Sequence, residues 1–201
     1  LLTTVALLSA ACTGPEEDEP PDPALLDPET CASCHPSHYE QWSGSMHAYA
    51  ADDPVFRAMN ERGQRETNGE LGDFCISCHA PVAVQDGLTT DGVDIDAVDP
   101  AYRGVTCATC HFVEDVEGDH NAALRWVTDG LLRGGMDDHV DNTAHGSVYS
   151  PLHDRNDLES ARMCGSCHDV VTPAGLHLER TFAEWQGSFF AQDTVARQTC
   201  G

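Results

Sequence analysis

The sequence predicts a helical, loop-rich fold built around something other than an apolar side-chain core. Three observations carry that expectation. Of 201 residues only 40 % are hydrophobic, a figure that includes ten cysteines, and aromatics supply 6 %. That is chain enough for one ordinary domain or two small ones, but it gives either a thin interior. Apolar residues recur at helical spacing, as in Pro36 to Ala51, where Tyr39, Trp42, Met46 and Ala50 form one stripe with His47 at its edge. Finally, eight of the ten cysteines fall into one repeated five-residue pattern.

Taken in order, Leu1 to Leu8 is an apolar run too short to span a bilayer, followed by the small residues Ser9, Ala10 and Ala11. Residues 1–11 read as the end of a secretory signal peptide. Cys12 then resembles a lipoprotein processing site, at which the cysteine carries lipid and attaches the protein to a membrane. Ser9 departs from the leucine usual three positions before such a cysteine, and ordinary cleavage after Ala11 is the competing reading. Either way the protein is exported, to the periplasm or the outer membrane. Thr13 to Pro23 holds five acids and four prolines with nothing to bury. Residues 12–27 therefore read as an extended acidic tether, and residues 28–201 as the folded domain. Further on, Gly87 to Asp99 carries Asp91, Asp94, Asp96 and Asp99. Its oxygens suit a hard cation, but the spacing does not match an EF-hand, and a solvated acidic loop with a short strand is the expectation. Residues 125–133 and 178–197 read as helices, the second with Phe182, Trp185, Phe189 and Phe190 on a broad apolar face.

Ten basic residues, all arginine, stand against 34 acids, a formal charge of −24. Such a chain is repelled by phosphate backbones, which excludes nucleic-acid binding, and a steered protein partner should present a basic face.

The cysteine pattern is C-x-x-C-H, four times: Cys31-Cys34-His35, Cys75-Cys78-His79, Cys107-Cys110-His111 and Cys164-Cys167-His168. Random placement of ten cysteines and eleven histidines gives well under one such unit. Two thiols three positions apart on a helical turn can each add across one vinyl group of a single haem, and the next residue sets an imidazole under the iron. A zinc ribbon needs no histidine after each second cysteine, and a thioredoxin-like motif would be single and set in a strand-helix-strand pattern. Four covalent haems c then replace the missing core. Of the other cysteines, Cys12 is discussed above and Cys200 stands in RQTCG. YEQWSGSMHA (Tyr39 to Ala48) is repeated as FAEWQGSFFA (Phe182 to Ala191), and a haem unit follows the first copy. By that repeat Cys200 opens a fifth unit that continues past Gly201; a lone free or disulfide-bonded cysteine is the competing reading.

Seven histidines remain as second axial ligands: His38, His47, His120, His139, His145, His153 and His177. A distal imidazole on every iron suits electron transfer, whereas an open position suits chemistry on a small molecule. His47 is the best placed; on a continuous helix His38 points to the opposite side, towards the surface or a propionate. His145 and His153, just ahead of the fourth unit, are further candidates, and His120 and His139 weaker ones in acidic surroundings.

The segments CASCHPSHYEQWSGSMHAYAADDPVF (Cys31 to Phe56) and His145 to Ala191 resemble the multihaem cytochromes of the cytochrome c-554 and hydroxylamine-oxidoreductase-like families. The resemblance implies a multihaem cytochrome c fold, mainly α with extensive loops and little or no β-sheet, organised around stacked covalent haems. It implies distal ligation by His47, and by His145 or His153 at another haem. Phe190 stands where the second repeat copy would have its histidine, so that copy has lost the ligand role.

The leading functional expectation is an exported carrier that moves electrons through four covalent haems, or five with Cys200, in a respiratory chain. The alternative is a multihaem oxidoreductase acting on a small nitrogen or sulfur compound at one open haem. A nitrite-reductase-type C-x-x-C-K haem is excluded by the absence of lysine, whereas a haem-crosslinked tyrosine is not, since Tyr39, Tyr49, Tyr102 and Tyr149 are available. A domain of a larger conduit is a third reading. Acidic side chains and haem propionates stabilise ferric iron, so the potentials should be low; a redox titration placing every haem well above zero would contradict this.

Overall fold

The computed structural model describes residues 22–140 and 143–201, and the signal-peptide and Cys12 expectations lie outside them. In chain order the helices are α1 (Pro23–Leu26), α2 (Pro28–Ala32), α3 (Pro36–Ser43), α4 (Met46–Tyr49), α5 (Pro54–Glu66), α6 (Ile76–His79), α7 (Pro81–Gln85) and α8 (Cys107–His111). Strands β1 (Val113–Val116), β2 (Leu124–Trp126), β3 (Leu131–Gly134) and β4 (Gly146–Tyr149) follow, then α9 (Ser160–Cys167), β5 (Val170–Val171), β6 (His177–Glu179) and α10 (Thr181–Gln186). Helices and loops dominate, and the strands form only two-stranded pairs: β1–β2 and β5–β6 antiparallel, β3–β4 parallel. Proline opens α1, α2, α3, α5 and α7, where its fixed φ favours the first turn and its missing N–H costs nothing. Most helices are shorter than two turns because each is interrupted by a cap or a haem unit.

Three local readings need correction. Pro36 to Ala51 is two helices, because Ser45 Oγ accepts a hydrogen bond from Ala48 N and starts α4 afresh. The helical-wheel opposition of His38 and His47 therefore lapses. Residues 125–133 are not a helix: Arg125 lies in β2, ion-paired with Glu114 across the β1–β2 pair. The chain then turns at Asp129-Gly130, where Gly130 has φ +76° and Asp129 Oδ1 accepts from Leu131 N. Residues 178–197 divide into β6, α10 and a 3₁₀ turn at Phe189–Ala191, since β6 pairs with β5 and Ser188 Oγ caps Phe190 N. In the acidic loop the expected strand is a 3₁₀ turn, Ile95–Ala97. Leu26, placed in the tether by composition, is buried against Val82, Ala108 and Phe112.

The apolar interior is three small clusters, around Ile76 and Ile95, around Phe112, and around Val113 and Leu152. Between them, polar groups fix the loops. The Arg133 side chain is 5 % exposed and donates through both terminal nitrogens to the Asp129 carboxylate at 2.7 Å, a bidentate pair that closes the turn into β3.

The Arg133 hydrogen bonds hold the Asp129 carboxyl below its usual range. A depressed folded-state value means stabilisation that is complete at neutral pH and lost as pH falls through the carboxylate range. Asp129→Ala is expected to cost about 2 kcal/mol at neutral pH, read by denaturant unfolding, and the difference from the parent should shrink in acid.

Candidate haem sites

Each C-x-x-C-H unit sits on a helical turn, which is what sets two thiols on one side of the backbone. The first spans the end of α2 and enters α3 at Pro36, the second is α6 with Cys75 as its cap, the third is α8 itself, and the fourth closes α9. None of the nine described cysteines is joined in a disulfide. Sulfurs of different units meet: Cys31 with Cys107, Cys78 with Cys167, and Cys164 with Cys200. Cys110 lies within electrostatic range of Cys164 and Cys167. The units therefore neighbour one another in the order first, third, fourth, second, with Cys200 beside the fourth. Hydrogen bonds from their partners lower the thiols of Cys31 and Cys167 to about 7, while burial pushes Cys110 up to about 12. These values belong to the protein before thioether formation.

The imidazoles form pairs. His35 and His145 have ring centroids 6.3 Å apart, and His47 and His168 6.2 Å apart. Two metal–nitrogen bonds of about 2 Å in line, plus the distance from each nitrogen to its ring centre, require a separation of that size. The Nδ1 atoms are anchored elsewhere: His79 donates to Ala50 O at 2.9 Å, His111 to Arg133 O at 2.6 Å, and His145 meets Gly146 O at 3.1 Å. His168 Nδ1 lies 3.3 Å from the Glu179 carboxylate. Such anchoring fixes tautomer and ring orientation for a metal on Nε2. The residues thus fit iron held between imidazoles. His111 and His153 are 5.6 Å apart; His153 Nε2 donates to Cys110 O at 2.9 Å, and its Nδ1 is buried without a hydrogen-bond partner. Burial lowers the pKa of His47, His79, His111 and His153, and the neighbouring His168 adds to the effect at His47. The neutral ring is the ligating form.

His79 differs. The ring in contact with it is Phe56, stacked at 3.7 Å and 9°. His38 stands 6.1 Å from His35, one turn along the same chain segment in α3. His120 is bonded to Asp119 at the surface, and His139 and His177 are exposed.

The sequence repeat is also a structural one. The Trp42 indole N–H donates to Val105 O at 2.7 Å, and Val105 N donates to His47 O at 2.8 Å. In the second copy Trp185 donates to Gln198 O at 2.8 Å, and Gln198 N donates to Phe190 O at 3.0 Å. Each clamp grips the residue two before a cysteine, Cys107 in one case and Cys200 in the other. The shared Thr-Cys dipeptides, Thr106-Cys107 and Thr199-Cys200, are the signal from which sequence reasoning could have found this.

A family model described as cytochrome c554 and c-prime matches residues 30–112, which hold three of the four units. The chain is a multihaem c-type cytochrome. A penta-haem cytochrome c552 from Thermochromatium tepidum has a similar structure, with TM-score 0.55 and 26 % identity over 79 % of this chain. The chain spans about half of that protein, 50 % of its length. No curated protein matches it. The cytochrome therefore binds haem c covalently and has an electron-transfer fold, mainly helices and loops with small sheets.

Proposed function

We propose that this cytochrome is an exported respiratory electron carrier with four haems c, attached at Cys31/Cys34, Cys75/Cys78, Cys107/Cys110 and Cys164/Cys167, with His35, His79, His111 and His168 as proximal ligands. The observation that carries this reading is the pair of imidazole couples near 6.2 Å, His35–His145 and His47–His168. Bound haem supplies reversible one-electron exchange. The chain's part is to hold both axial rings so that no ligand rearranges when the charge changes. His145 and His47 are the distal ligands of the first and fourth haems, and His153 faces the third through its unpartnered Nδ1. The thiol contacts support an electron route from the first unit through the third and fourth to the second.

A fifth haem would begin at Cys200, which follows a clamped residue as Cys107 does. Arg155 and Arg197 line a cavity of about 510 Å³ beside it and would complement propionates. The docking partner presents a basic face, and lipidated Cys12 attaches the protein to a membrane.

One observation favours a second reading for part of the molecule: Phe56, not an imidazole, contacts His79. The haem at Cys75/Cys78 then keeps an open position, where a small nitrogen or sulfur compound would bind.

Low-temperature EPR of the oxidised holoprotein tests both readings. The expectation is low-spin ferric signals plus one high-spin haem per chain, with a second high-spin haem in His145→Ala. Exclusively low-spin iron would remove the open site, and a His145→Ala spectrum identical to the parent would remove the ligand assignment. A separate prediction concerns Glu179. A carboxylate accepting from a proximal ligand makes the ring a stronger donor and stabilises ferric iron. In Glu179→Gln one redox transition should therefore move to more positive potential in a spectroelectrochemical titration, the others remaining in place.

A further inference from the structure

We infer that Gly104 and Trp42 are positioning residues for the His47 imidazole, so that the segment entering the third haem unit holds the distal ligand of the fourth haem. This rests on the reading of His47 as that ligand. His47 itself has little to fix it: it lies in α4, a single turn, and its side chain is on the surface of that turn. What holds its backbone is the segment Gly104–Val105. Val105 N donates to His47 O at 2.8 Å, and the Trp42 indole takes the Val105 carbonyl on the other side. Gly104 is buried, with φ +79°, and a Cβ there would stand 2.5 Å from Ala48 O and 2.7 Å from His47 O. Two backbones pass in contact at this point, and only glycine allows both the approach and the left-handed conformation.

The second repeat copy separates the roles of the two residues. There the clamp forms with the same two hydrogen bonds, Trp185 to Gln198 O and Gln198 N to Phe190 O. The position of Gly104 is held by Arg197, and that of His47 by Phe190. The clamp therefore needs no glycine. The copy with an imidazole has the glycine, and the copy without an imidazole lacks it. Glycine at 104 accordingly serves the close seating of the His47 backbone, which aims the ring at His168 6.2 Å away.

The test uses the haem-loaded protein and four variants, read by EPR and by covalent haem content. His47→Ala should turn one low-spin haem high-spin, and added imidazole should return it to low-spin. Gly104→Ala should convert the same haem with haem content unchanged, respond to imidazole in the same way, and add nothing in the His47→Ala/Gly104→Ala double variant. A low-spin Gly104→Ala protein beside a high-spin His47→Ala protein would overturn the inference and leave the ligand assignment standing. A low-spin His47→Ala protein would overturn the assignment itself. Should Gly104→Ala fail to mature, Trp42→Phe decides: it removes one hydrogen bond, and the low-spin signal of that haem alone should shift its g-values. An unshifted spectrum would overturn the inference.

Discussion

An axial imidazole has to meet an iron that is tied to a different part of the chain, and most of this structure follows from that requirement. The proximal histidines solve it locally, one residue after the second cysteine. In the proposed assignment the distal ones come from far away: His145 faces a ring 110 positions earlier, and His47 one 121 positions later. Each such pair is a long-range contact in a protein whose described residues build three small apolar clusters. The β3–β4 pair shows the economy of the arrangement. β3 offers Arg133 O to the His111 ring, β4 begins beside His145, and the 3₁₀ turn after β4 carries His153. One parallel pair thus sits beside three of the candidate imidazoles, His111, His145 and His153. Gly135, just beyond β3, sits so close to the His153 carbonyl that a Cβ would stand 2.4 Å away, again glycine against a ligand's backbone.

Electrostatics points the same way. With 34 acids, imidazoles in this chain would ordinarily be drawn towards the protonated, non-ligating form. Burial opposes that at His47, His79, His111 and His153. Carbonyl acceptors at Ala50 and Arg133 orient two of these rings without adding charge, whereas His168 faces a carboxylate. The anchors differ in charge, so the haems are not equivalent, and a gradient among them can be set by hydrogen bonds alone.

The haem units were legible because thioether chemistry dictates both residue type and spacing, and a five-residue signature survives any tertiary context. The helix at 36–51 was half legible: both parts are helical, but periodicity carries no information about Ser45 restarting the backbone, and Met46 of the expected stripe is exposed. Residues 125–133 misled for a related reason. Arg125 and Leu131 to Arg133 are held by partners on other strands, Glu114 and β4, and pairing partners are invisible in a local pattern. Candidate distal ligands could be named from the sequence, but not the rings they face. Nothing in His145 names His35, and the surface bond of His120 to Asp119 agrees with its weaker standing in an acidic stretch.

The thin core has a consequence for how the protein folds. Phe112 is the largest fully buried side chain, and each cluster is a handful of residues. Clusters of that size contribute little against the conformational entropy of loops as long as these. On the proposed assignment, covalent closure at the haem units and ligation across the chain would supply much of the stabilisation that the apolar clusters do not. On that assignment ligation acts as tertiary structure: removing His47 or His145 would take away a cross-link as well as a ligand. The clamp from Trp42 to Val105 is made by protein groups alone, and it holds the backbone of His47 against the segment that enters the third unit. A backbone fixed in this way loses less conformational entropy when a side chain on it takes up a ligand position.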